Sequence, residues 1–488
     1  MTVYIIGHKF HFETENLCRM FYPNNDIHLE YEMNDIQGDY IITKMNTLYG
    51  NTVLSVEASI DGKDEKNERA VNAYSDDEAE YNLALCLYDC LTKITGYTPA
   101  WGLLTGVRPS KLMNRLIDEK GEEAAKVYFT DKLLVSKSKT RLAFDVAESQ
   151  KQIFAENRPE SFSLYVSIPF CPSRCSYCSF VSHSITSSNA KKLLEPYIEN
   201  LAKELLITAE YAKCNNLRLE SVYFGGGTPG ILSAEQSRFL MDTVKKSFDM
   251  SFCREITFES GRADTITQEK LLTLKSCGVD RISINPQTFD NSVLEAIGRN
   301  HTAEEAVDAY RLARNIGFDS INMDLIAGLP GDTVEGFMKS VDKAISLGAE
   351  NITVHALALK RSSNLVTKEN AALSQDMAAA QMIDYANKTL SENGYIPYYM
   401  YRQSRCVGNL ENVGWCLPGK ECLYNVYMME EIHTVLAVGA GSVTKLKAPY
   451  DNRIERIFNY KYPYEYNTGF ETLVERKNRI SEFYSTYN

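Results

Sequence analysis

The sequence predicts an α/β protein built around an incomplete barrel of six strand–helix units. Short apolar segments alternate with amphipathic segments six times between about residue 163 and residue 393. Residues 1 to about 75 follow the two-residue period of β-strands, and residues after Gly394 are rich in tyrosine, glycine and loop-forming residues. Serial strand–helix units form parallel sheets. We therefore expect an α+β domain over 1–158, the partial (β/α)6 barrel over 159–394 and a C-terminal extension over 395–488.

The six units of the barrel can be placed from their apolar periods. The expected strands are Leu164–Ile168, Ser221–Phe224, Glu255–Phe258, Arg281–Ile284, Ser320–Ile326 and Asn351–Leu357. The expected helices cover roughly 189–213, 233–248, 267–276, 303–316, 333–347 and 374–393. Barrels of parallel strands carry their active sites at the carboxyl ends of the strands. The residues that follow each strand are therefore the candidate functional residues.

The flanking domains are less regular. In the first, we expect four short strands, Thr2–Gly7, Asp26–Glu32, Asp39–Met45 and Asn51–Asp61. The charged stretch Asp64–Ala70 is expected to be a loop or a helix start, and Glu78–Lys93 to be an amphipathic helix. In the C-terminal extension we expect loops and one helix near 469–482.

Composition limits the functional classes. The chain has 488 residues, a formal charge of −12 and a pI near 5.3, which disfavours a general nucleic-acid-binding surface. We find no apolar run of membrane-spanning length, and the first eight residues are expected to form a strand rather than a signal peptide. Twelve cysteines without a leader indicate a reducing compartment, so we expect the cytoplasm.

Three cysteines after the first barrel strand form the most specific motif. Cys171, Cys175 and Cys178 are spaced Cys-x3-Cys-x2-Cys. A cubane iron–sulfur cluster normally takes four thiolates, so three leave one iron open to a small molecule. Zinc is the alternative, but zinc sites usually contain a second Cys-x2-Cys pair, which is missing at that spacing. A second metal site at Cys406, Cys416 and Cys422 is a weaker alternative to simple thiol burial.

Other polar residues fall at later strand ends. The second strand ends in Gly225-Gly-Gly-Thr-Pro229, where glycines let the backbone approach a ligand closely. Glu259, Gln287 and Asp324 lie at or near the next three strand ends, and Arg299 can offer two parallel hydrogen bonds to a carboxylate. Helix capping, or a solvated surface position for the arginine, is the competing interpretation.

These motifs together resemble the radical S-adenosylmethionine (SAM) superfamily, whose signature is Cys-x3-Cys-x2-Cys followed by Gly-Gly-Gly-Thr-Pro. Within it, the chain is similar to the oxygen-independent coproporphyrinogen III dehydrogenase family. The matching motifs are Tyr165-Val-Ser-Ile-Pro-Phe-Cys171, the Gln287–Arg299 pair and Asp324-Leu-Ile-Ala-Gly-Leu-Pro330. Glu259-Ser-Gly-Arg262, Gly408–Gly414 and the additional N-terminal domain resemble its HemZ-type branch. The resemblance implies a radical SAM partial barrel with a family-specific C-terminal extension.

The resemblance also implies cofactors and the residues that bind them. A [4Fe-4S] cluster would be held by Cys171, Cys175 and Cys178. One SAM molecule would contact Tyr165, Tyr177, Gly226 and Glu259, and a second would contact Gly227, Thr228, Gln287, Arg299, Asp324 and Ala358. An electron donor such as flavodoxin or ferredoxin is implied by the cluster.

The implied reaction is oxidative decarboxylation of two propionates of coproporphyrinogen III to give protoporphyrinogen IX. Cationic side chains that could bind its carboxylates are Arg262, Arg361, Arg402 and Arg405, with ordinary surface charge as the alternative. Two departures leave other functions open: Ser179-Phe180 stands where the founding enzymes have a fourth cysteine, and Ser167 where they have histidine. A Cys-x-Phe form also occurs in related heme-trafficking proteins, although their His-Asn-x2-Tyr-Trp motif is missing here. Heme binding, or radical chemistry on heme itself, are the alternatives.

Overall fold

The structure, a computed structural model, describes residues 1–23, 25–33, 36–48, 51–71, 75–178, 182–186, 188–358, 372–403 and 406–487. The chain forms two compact units. The first consists of residues 1–144 and 402–409, and the second of residues 145–401 and 410–488. The division at residues 158 and 394 into three domains stays a prediction.

The first unit is a five-stranded sheet covered on one face by helices. Its strands are β1 (Thr2–Ile6), β2 (His28–Glu30), β3 (Tyr40–Leu48), β4 (Asn51–Ile60) and β5 (Lys63–Val71), in the order β2-β1-β3-β4-β5. Its helices are α1 (His11–Phe21), α2 (Asp76–Thr95), α3 (Pro109–Lys120) and α4 (Glu122–Val127), followed by a π-helical turn (Tyr128–Lys132). Alternate apolar residues such as Leu54 and Val56 meet Leu17, Leu83 and Leu87 in one core.

The prediction for Asp64–Ala70 is wrong, because this charged stretch lies within β5 and pairs antiparallel with β4. Exposed and half-buried residues alternate along most of β5, as expected for a strand at a sheet edge. The many charged residues of this stretch obscured the two-residue alternation that is typical of a β-strand. The predicted helix over Glu78–Lys93 is confirmed as α2, whereas α1 was not predicted.

The second unit contains the predicted partial barrel. Six parallel strands stand side by side: β6 (Ser161–Ile168), β9 (Arg218–Gly226), β10 (Glu255–Gly261), β11 (Arg281–Ile284), β12 (Ile321–Ala327) and β13 (Asn351–Ala356). The helices of these units are α6 (Ser188–Cys214), α7 (Ala234–Ser247), α8 (Gln268–Ser276), α9 (Asn291–Ala296), α10 (Ala303–Ile316), α11 (Val334–Leu347) and α12 (Ala372–Glu392). All six predicted strands and the six predicted helices are confirmed, and α9 is additional. Before them comes α5 (Lys137–Glu156).

Local sequence explains why the helices begin where they do. Ser233, Thr302 and Thr333 precede α7, α10 and α11, and the side-chain oxygen of each accepts a hydrogen bond from a backbone N–H of the first turn. Such caps satisfy donors that the helix itself leaves free. The intervening strands are almost wholly buried, with all four residues of β11 inaccessible, which is typical of a sheet covered on both faces.

The C-terminal segment extends this sheet on both sides and contains more regular structure than predicted. Its elements are β14 (Ile396–Arg402), β15 (Glu411–Cys416), α13 (Leu423–Glu430), β16 (Thr434–Val438), β17 (Val443–Lys447), β18 (Ile454–Phe458), α14 (Pro463–Thr468) and α15 (Phe470–Ser485). The helix near 469–482 is confirmed as α15. The eleven strands have the order β14-β15-β13-β12-β11-β10-β9-β6-β16-β17-β18, and α13 connects the strands that flank β13 and β6. These elements are short and rich in tyrosine, so the apolar periodicity that would have predicted them is weak.

Buried polar contacts fasten the C-terminal segment to the first barrel strand. β16 runs parallel to β6, with Ala437 opposite Tyr165. At the end of β6 the Ser167 hydroxyl donates to the carbonyl oxygen of Ala440 at 2.8 Å. Deeper, the carboxylate of Glu204 on α6 accepts from the ammonium of Lys477 on α15 at 2.9 Å, and both side chains are almost fully buried. Among the residues described, no helix is long and apolar enough to cross a membrane.

Candidate functional site

The cysteine loop, residues 171–178, follows β6 at the carboxyl ends of the six parallel strands. We call these strand ends the mouth. Cys171 and Cys175 are buried, Cys178 is partly buried, and none of the three forms a disulfide. The N–H of Cys178 donates to the carbonyl oxygen of Cys175 at 3.2 Å, which makes a tight turn. Cys171 lies in the two-residue strand β7 (Phe170–Cys171), which pairs with β8 (His183–Ser184).

The glycine turn after β9 packs directly against the first cysteine. The N–H of Thr228 donates to the carbonyl oxygen of Phe170 at 2.8 Å, and the Thr228 hydroxyl lies 3.5 Å from the Cys171 sulfur. A Cβ atom on Gly227 would lie 2.6 Å from the Phe170 carbonyl oxygen and 2.9 Å from the Cys171 sulfur. Only glycine fits this close approach without moving backbone.

Two arginines hold the cysteine loop through residues that lie between its cysteines. Arg262, after β10, forms two hydrogen bonds with Asp264 at 2.9 and 2.7 Å and donates to the hydroxyl of Ser173 at 2.7 Å. Arg299, after α9, donates to the hydroxyl of Tyr177 at 2.9 Å. Both contacted residues lie between cysteines, so the spacer residues of the motif anchor the loop.

A tyrosine stack and a carboxyl group lie on the barrel strands β6, β9 and β10 and on α13. The rings of Tyr165 and Tyr223 both stack on Tyr424 of α13, at centroid distances of 5.8 and 4.3 Å. The Tyr223 hydroxyl donates to Glu259 at 2.6 Å. Burial raises the pKa of Glu259 to about 7, although the hydrogen bond from Tyr223 opposes the shift, and the charge of Asp324 adds to it. Glu259 can therefore exchange a proton near neutral pH.

Asp324 on β12 is the second carboxyl group of the mouth and behaves differently. Its Oδ1 accepts from the side-chain amide of Asn322 at 2.8 Å and lies 3.8 Å from Nε2 of His355. Burial alone would raise the pKa of Asp324, but the neighbouring His355, the hydrogen bond from Asn322 and the charge of Arg299 outweigh burial and lower it. The mouth therefore holds one carboxylate that stays ionised and one that titrates near pH 7.

The backbone around Gln287 links two neighbouring strand ends. Gln287 has a φ of 72°, a conformation uncommon for a residue with a side chain. Its N–H donates to the carbonyl oxygen of Asp324 at 2.9 Å, and its own carbonyl oxygen accepts from the N–H of Ile326 at 2.9 Å. Ala358, two residues after β13, is partly buried.

Several buried polar atoms near the mouth lack a hydrogen-bond partner within the described part of the chain. They are Oγ of Ser260, Oγ of Ser283, Oδ1 of Asn285 and Nε of Arg299. Buried polar groups in native proteins are nearly always hydrogen-bonded, to protein or to bound molecules. Such a group of unsatisfied atoms is typical of a site that binds a polar ligand.

Comparisons with known proteins agree with this geometry. The model of the radical SAM superfamily matches residues 165–344. The oxygen-independent coproporphyrinogen-III oxidase-like protein HemZ of Bacillus subtilis is 38% identical over 393 residues, which are 80% of this chain and 78% of that protein. The chain belongs to the HemZ-type branch of the radical SAM superfamily.

More distant relatives include heme chaperone HemW of Haemophilus influenzae, 31% identical over 65% of this chain and 78% of that protein. Among solved structures, coproporphyrinogen III oxidase (HemN) of Escherichia coli has a TM-score of 0.49 and 21% identity, over 67% of this chain and 73% of that chain. Radical SAM membership implies a [4Fe-4S] cluster and SAM for this HemZ-type chain.

The residues of the cysteine loop fit a cluster by their chemistry. Three cysteines that form no disulfide lie in one loop, and the glycine turn leaves space for nothing larger than hydrogen beside Cys171. In the described ranges, no three histidine, cysteine, aspartate or glutamate side chains converge as a ready metal site.

The structure brings most of the predicted cofactor residues of this HemZ-type protein to the mouth. These are Tyr177, Gly226, Gly227, Thr228, Glu259, Gln287, Arg299, Asp324 and Ala358. Tyr165 lies three residues deeper in β6, in the tyrosine stack. Tyr223, Tyr424, His355 and Asp264 were not predicted. Tyr223 lies four residues before Gly227 and His355 three residues before Ala358, both inside predicted strands, and this nearness to a strand end was the available signal.

Neither of the two described arginines that were candidates for binding substrate carboxylates is available for that role. Arg262 is buried and directed to Asp264 and Ser173. Arg402, in the first unit, is buried and donates to the carbonyl oxygens of Leu104 and Asn409. Arg361 and Arg405 lie outside the described residues.

The weaker alternative of a second metal site at Cys406, Cys416 and Cys422 gains no support from the described part of the chain, where the three thiols are buried. Cys406 lies in the first unit, and Cys416 and Cys422 in the second, all buried. Burial raises the pKa of Cys422 to about 12, helped by Glu255. These thiols are packing residues.

Proposed function

We propose that the chain is a radical SAM enzyme that decarboxylates two propionates of coproporphyrinogen III to give protoporphyrinogen IX. The observation that carries the proposal is the contact of the Cys171 loop with the Gly227-Thr228 turn, in a chain similar to a HemZ protein over most of both lengths. The reducing cytoplasm is the expected location, because the proposed cluster needs reduced thiols.

The residues divide between two SAM positions in this proposal. Cys171, Cys175 and Cys178 would hold the cluster. Tyr165, Tyr177, Gly226 and Glu259 would contact the SAM on it, and Gly227, Thr228, Gln287, Arg299, Asp324 and Ala358 would contact a second SAM. A reduced cluster with SAM supplies a 5′-deoxyadenosyl radical, which is the cofactor's part of the chemistry.

The protein's own part is orientation and charge. Asp324 stays ionised and can accept hydrogen bonds from ribose hydroxyls or an ammonium group. Glu259 can hold or release a proton as a cation binds beside it. Each substrate propionate would lose one β-hydrogen atom, carbon dioxide and one electron, which leaves a vinyl group. The tyrosine stack gives the mouth an apolar floor that suits a tetrapyrrole ring.

Heme binding is the second candidate. Two observations favour it: several HemW heme chaperones are about 30% identical, and the described candidates Arg262 and Arg402 are unavailable to substrate carboxylates. Radical chemistry on heme itself is a third candidate, for which the match to the radical SAM superfamily is the only support.

One experiment separates these functions. Cluster-reconstituted protein is incubated without oxygen with dithionite, SAM and coproporphyrinogen III, and products are measured by mass spectrometry. Protoporphyrinogen with matching 5′-deoxyadenosine is the expected result. Deoxyadenosine without a decarboxylated tetrapyrrole would mean that the chain is a radical SAM enzyme with another substrate. No deoxyadenosine from protein with a reduced cluster, together with tight heme binding, would favour the heme-binding function.

A further inference from the structure

The backbone that leads from β6 into the cysteine loop is hydrogen-bonded at each of its last four carbonyl oxygens before Cys171. The carbonyl oxygen of Ser167 is held by a side chain, since the hydroxyl of Tyr197 on α6 donates to it at 2.8 Å. The next three carbonyl oxygens instead accept from backbone N–H groups at 2.8 to 2.9 Å, those of Gly227, His183 and Thr228. Tyr197 is therefore the side chain that fixes the start of this segment.

The hydroxyl of Tyr197 stands between two strands of the sheet. β6 and β16 pair as parallel strands as far as Val166 and Val438. In a parallel ladder, the next hydrogen bond would join the N–H of Ala440 to the carbonyl oxygen of Ser167. Here the N–H of Ala440 donates to the Tyr197 hydroxyl at 2.8 Å, and that hydroxyl donates to Ser167. The side chain thus takes the place of a direct bond between the strands at the mouth.

The turn after β16 is shaped around this hydroxyl. Gly439 has a φ of 89°, and a Cβ atom there would lie 2.5 Å from the Tyr197 hydroxyl oxygen and 2.6 Å from the Ser167 carbonyl oxygen. A side chain at this position would therefore push the bridge apart. The hydroxyl of Ser167 also donates to the carbonyl oxygen of Ala440, at 2.8 Å. The turn thus binds Tyr197 and two polar groups of Ser167 together.

A buried carboxylate and two rings keep Tyr197 and the turn in place. Glu204 accepts from the N–H of Gly439 at 2.7 Å and from the hydroxyl of Tyr466 on α14 at 2.6 Å. The rings of Tyr197 and Tyr466 are 4.8 Å apart. On the cluster side, the ring of Phe170, the residue before Cys171, meets Tyr197 edge to face at 5.2 Å. Tyr197 therefore touches the cysteine-bearing segment through both its hydroxyl and its ring.

We propose that Tyr197 is a positioning residue of the cluster site, whose hydroxyl sets the separation of β6 and β16 and thereby the place from which Cys171 leaves the sheet. The inference rests on the proposed function, because it concerns the cluster that Cys171 would hold. Residues that orient metal ligands without touching the metal change metal affinity by about 10- to 100-fold when they are replaced. Burial holds the pKa of Tyr197 well above its usual value, so the hydroxyl keeps its proton and remains a donor.

The test compares two buried hydroxyls of one network in the full-length protein. Tyr197→Phe removes the hydroxyl between the strands, and Tyr466→Phe removes the hydroxyl that donates to Glu204. Both variants keep a buried ring and should lower the Tm of the cluster-free protein by similar amounts. After anaerobic reconstitution, Tyr197→Phe should lose iron to a chelator about tenfold faster than the parent. Its reduced cluster should also give an altered electron paramagnetic resonance spectrum, with and without SAM.

Tyr466→Phe is the matched control and should equal the parent in iron loss and in the spectrum of the reduced cluster. Ser167→Ala, which removes the second contact to Ala440, should speed iron loss by a smaller factor than Tyr197→Phe, and it decides the question if Tyr197→Phe does not fold. Iron loss and spectra equal to those of the parent in Tyr197→Phe, or changed equally in both tyrosine variants, would overturn the positioning role alone. A parent that assembles no cluster would overturn both this inference and the proposed function.

Discussion

The two ends of the parallel sheet use the same strands in opposite ways. At the amino end of β10, the carboxylate of Glu255 accepts from the N–H groups of Leu423 and Tyr424 at 2.9 and 3.3 Å, and from the thiol of Cys422 at 3.3 Å. At the amino end of β11, Arg281 donates to the Ser320 hydroxyl and to the carbonyl oxygen of Lys420. Helix α13 closes this end, and the charged groups are paired.

At the carboxyl ends of the same two strands, the polar groups are not fully paired within the described residues. Glu259, four residues after Glu255, has a pKa near 7, and Oδ1 of Asn285, four residues after Arg281, has no hydrogen-bond partner among the described residues. Because buried polar atoms without partners destabilise a fold, the ones at the carboxyl ends of β10 and β11 are consistent with a ligand that binds there. The comparison of the two ends distinguishes charged groups that are paired within the protein from polar groups that remain open to a ligand, and it does so without using the related proteins.

The largest expected effect is on the thiols of the two ends. Cys175→Ala should abolish cluster assembly, because a cluster held by two cysteines loses a required ligand. Cys422→Ala, a buried thiol at the closed end, should keep the iron content of the parent. Iron and sulfide analysis with the visible absorbance of anaerobically reconstituted protein measures both. An iron content in Cys175→Ala equal to that of the parent would contradict the assignment of Cys175 as a cluster ligand.

Arg262→Ala should have the next largest effect. This change removes the hydrogen bond to Ser173 and leaves Asp264 without its ion-pair partner. The free energy of unfolding should fall by about 3 kcal/mol as a result. We expect reconstituted cluster to lose iron to a chelator several-fold faster than in the parent. Arg262→Lys keeps the charge but loses the two-pronged contact, and should be intermediate. Equal iron loss in all three proteins would remove Arg262 from the anchoring of the loop.

A smaller effect compares two glutamates on one strand. Glu255→Gln removes an ionised acceptor of two N–H groups and should lower the free energy of unfolding by about 2 kcal/mol, a fall in Tm of several degrees. Glu259→Gln replaces a group that is partly neutral already, so Tm should change by less than about 2 °C. Differential scanning calorimetry of the cluster-free proteins checks both. A larger loss in Glu259→Gln would reverse the assignment of structural and functional roles.

The smallest expected effect is a pH dependence. A bound cation such as SAM favours the ionised form of Glu259, so binding must first remove a proton below pH 7. Apparent SAM affinity should rise about tenfold per pH unit up to pH 7 and then level off. Glu259→Gln should bind more weakly with a flat profile over that range. The raised pKa also means that Glu259 stabilises the fold most below pH 4.5, and that this contribution is lost as pH rises through 7.

Sequence reasoning placed the mouth well, because its residues follow strands whose apolar runs are unambiguous. Glu259, Gln287 and Asp324 could be predicted from position alone. The role of Arg262 could not, since its partner Ser173 lies 89 residues away and no local pattern encodes that contact. The same limit applies to α13, whose Tyr424 reaches the tyrosine stack through tertiary packing. The prediction for β5 was wrong for a different reason: the high content of charged residues was given more weight than the two-residue period.

The junction of β6 with β16 has a consequence for how the protein is made. The hydroxyl of Ser163 on β6 pairs with His433, which is 270 residues later in the chain, and α15 follows later still. At about 5 to 20 residues per second, roughly 15 to 50 seconds separate synthesis of the cysteine loop from that of its neighbouring strand. During this interval β6, the strand that the cysteine loop follows, lacks its neighbour β16. Insertion of iron and sulfide into the finished site should therefore be a post-translational event.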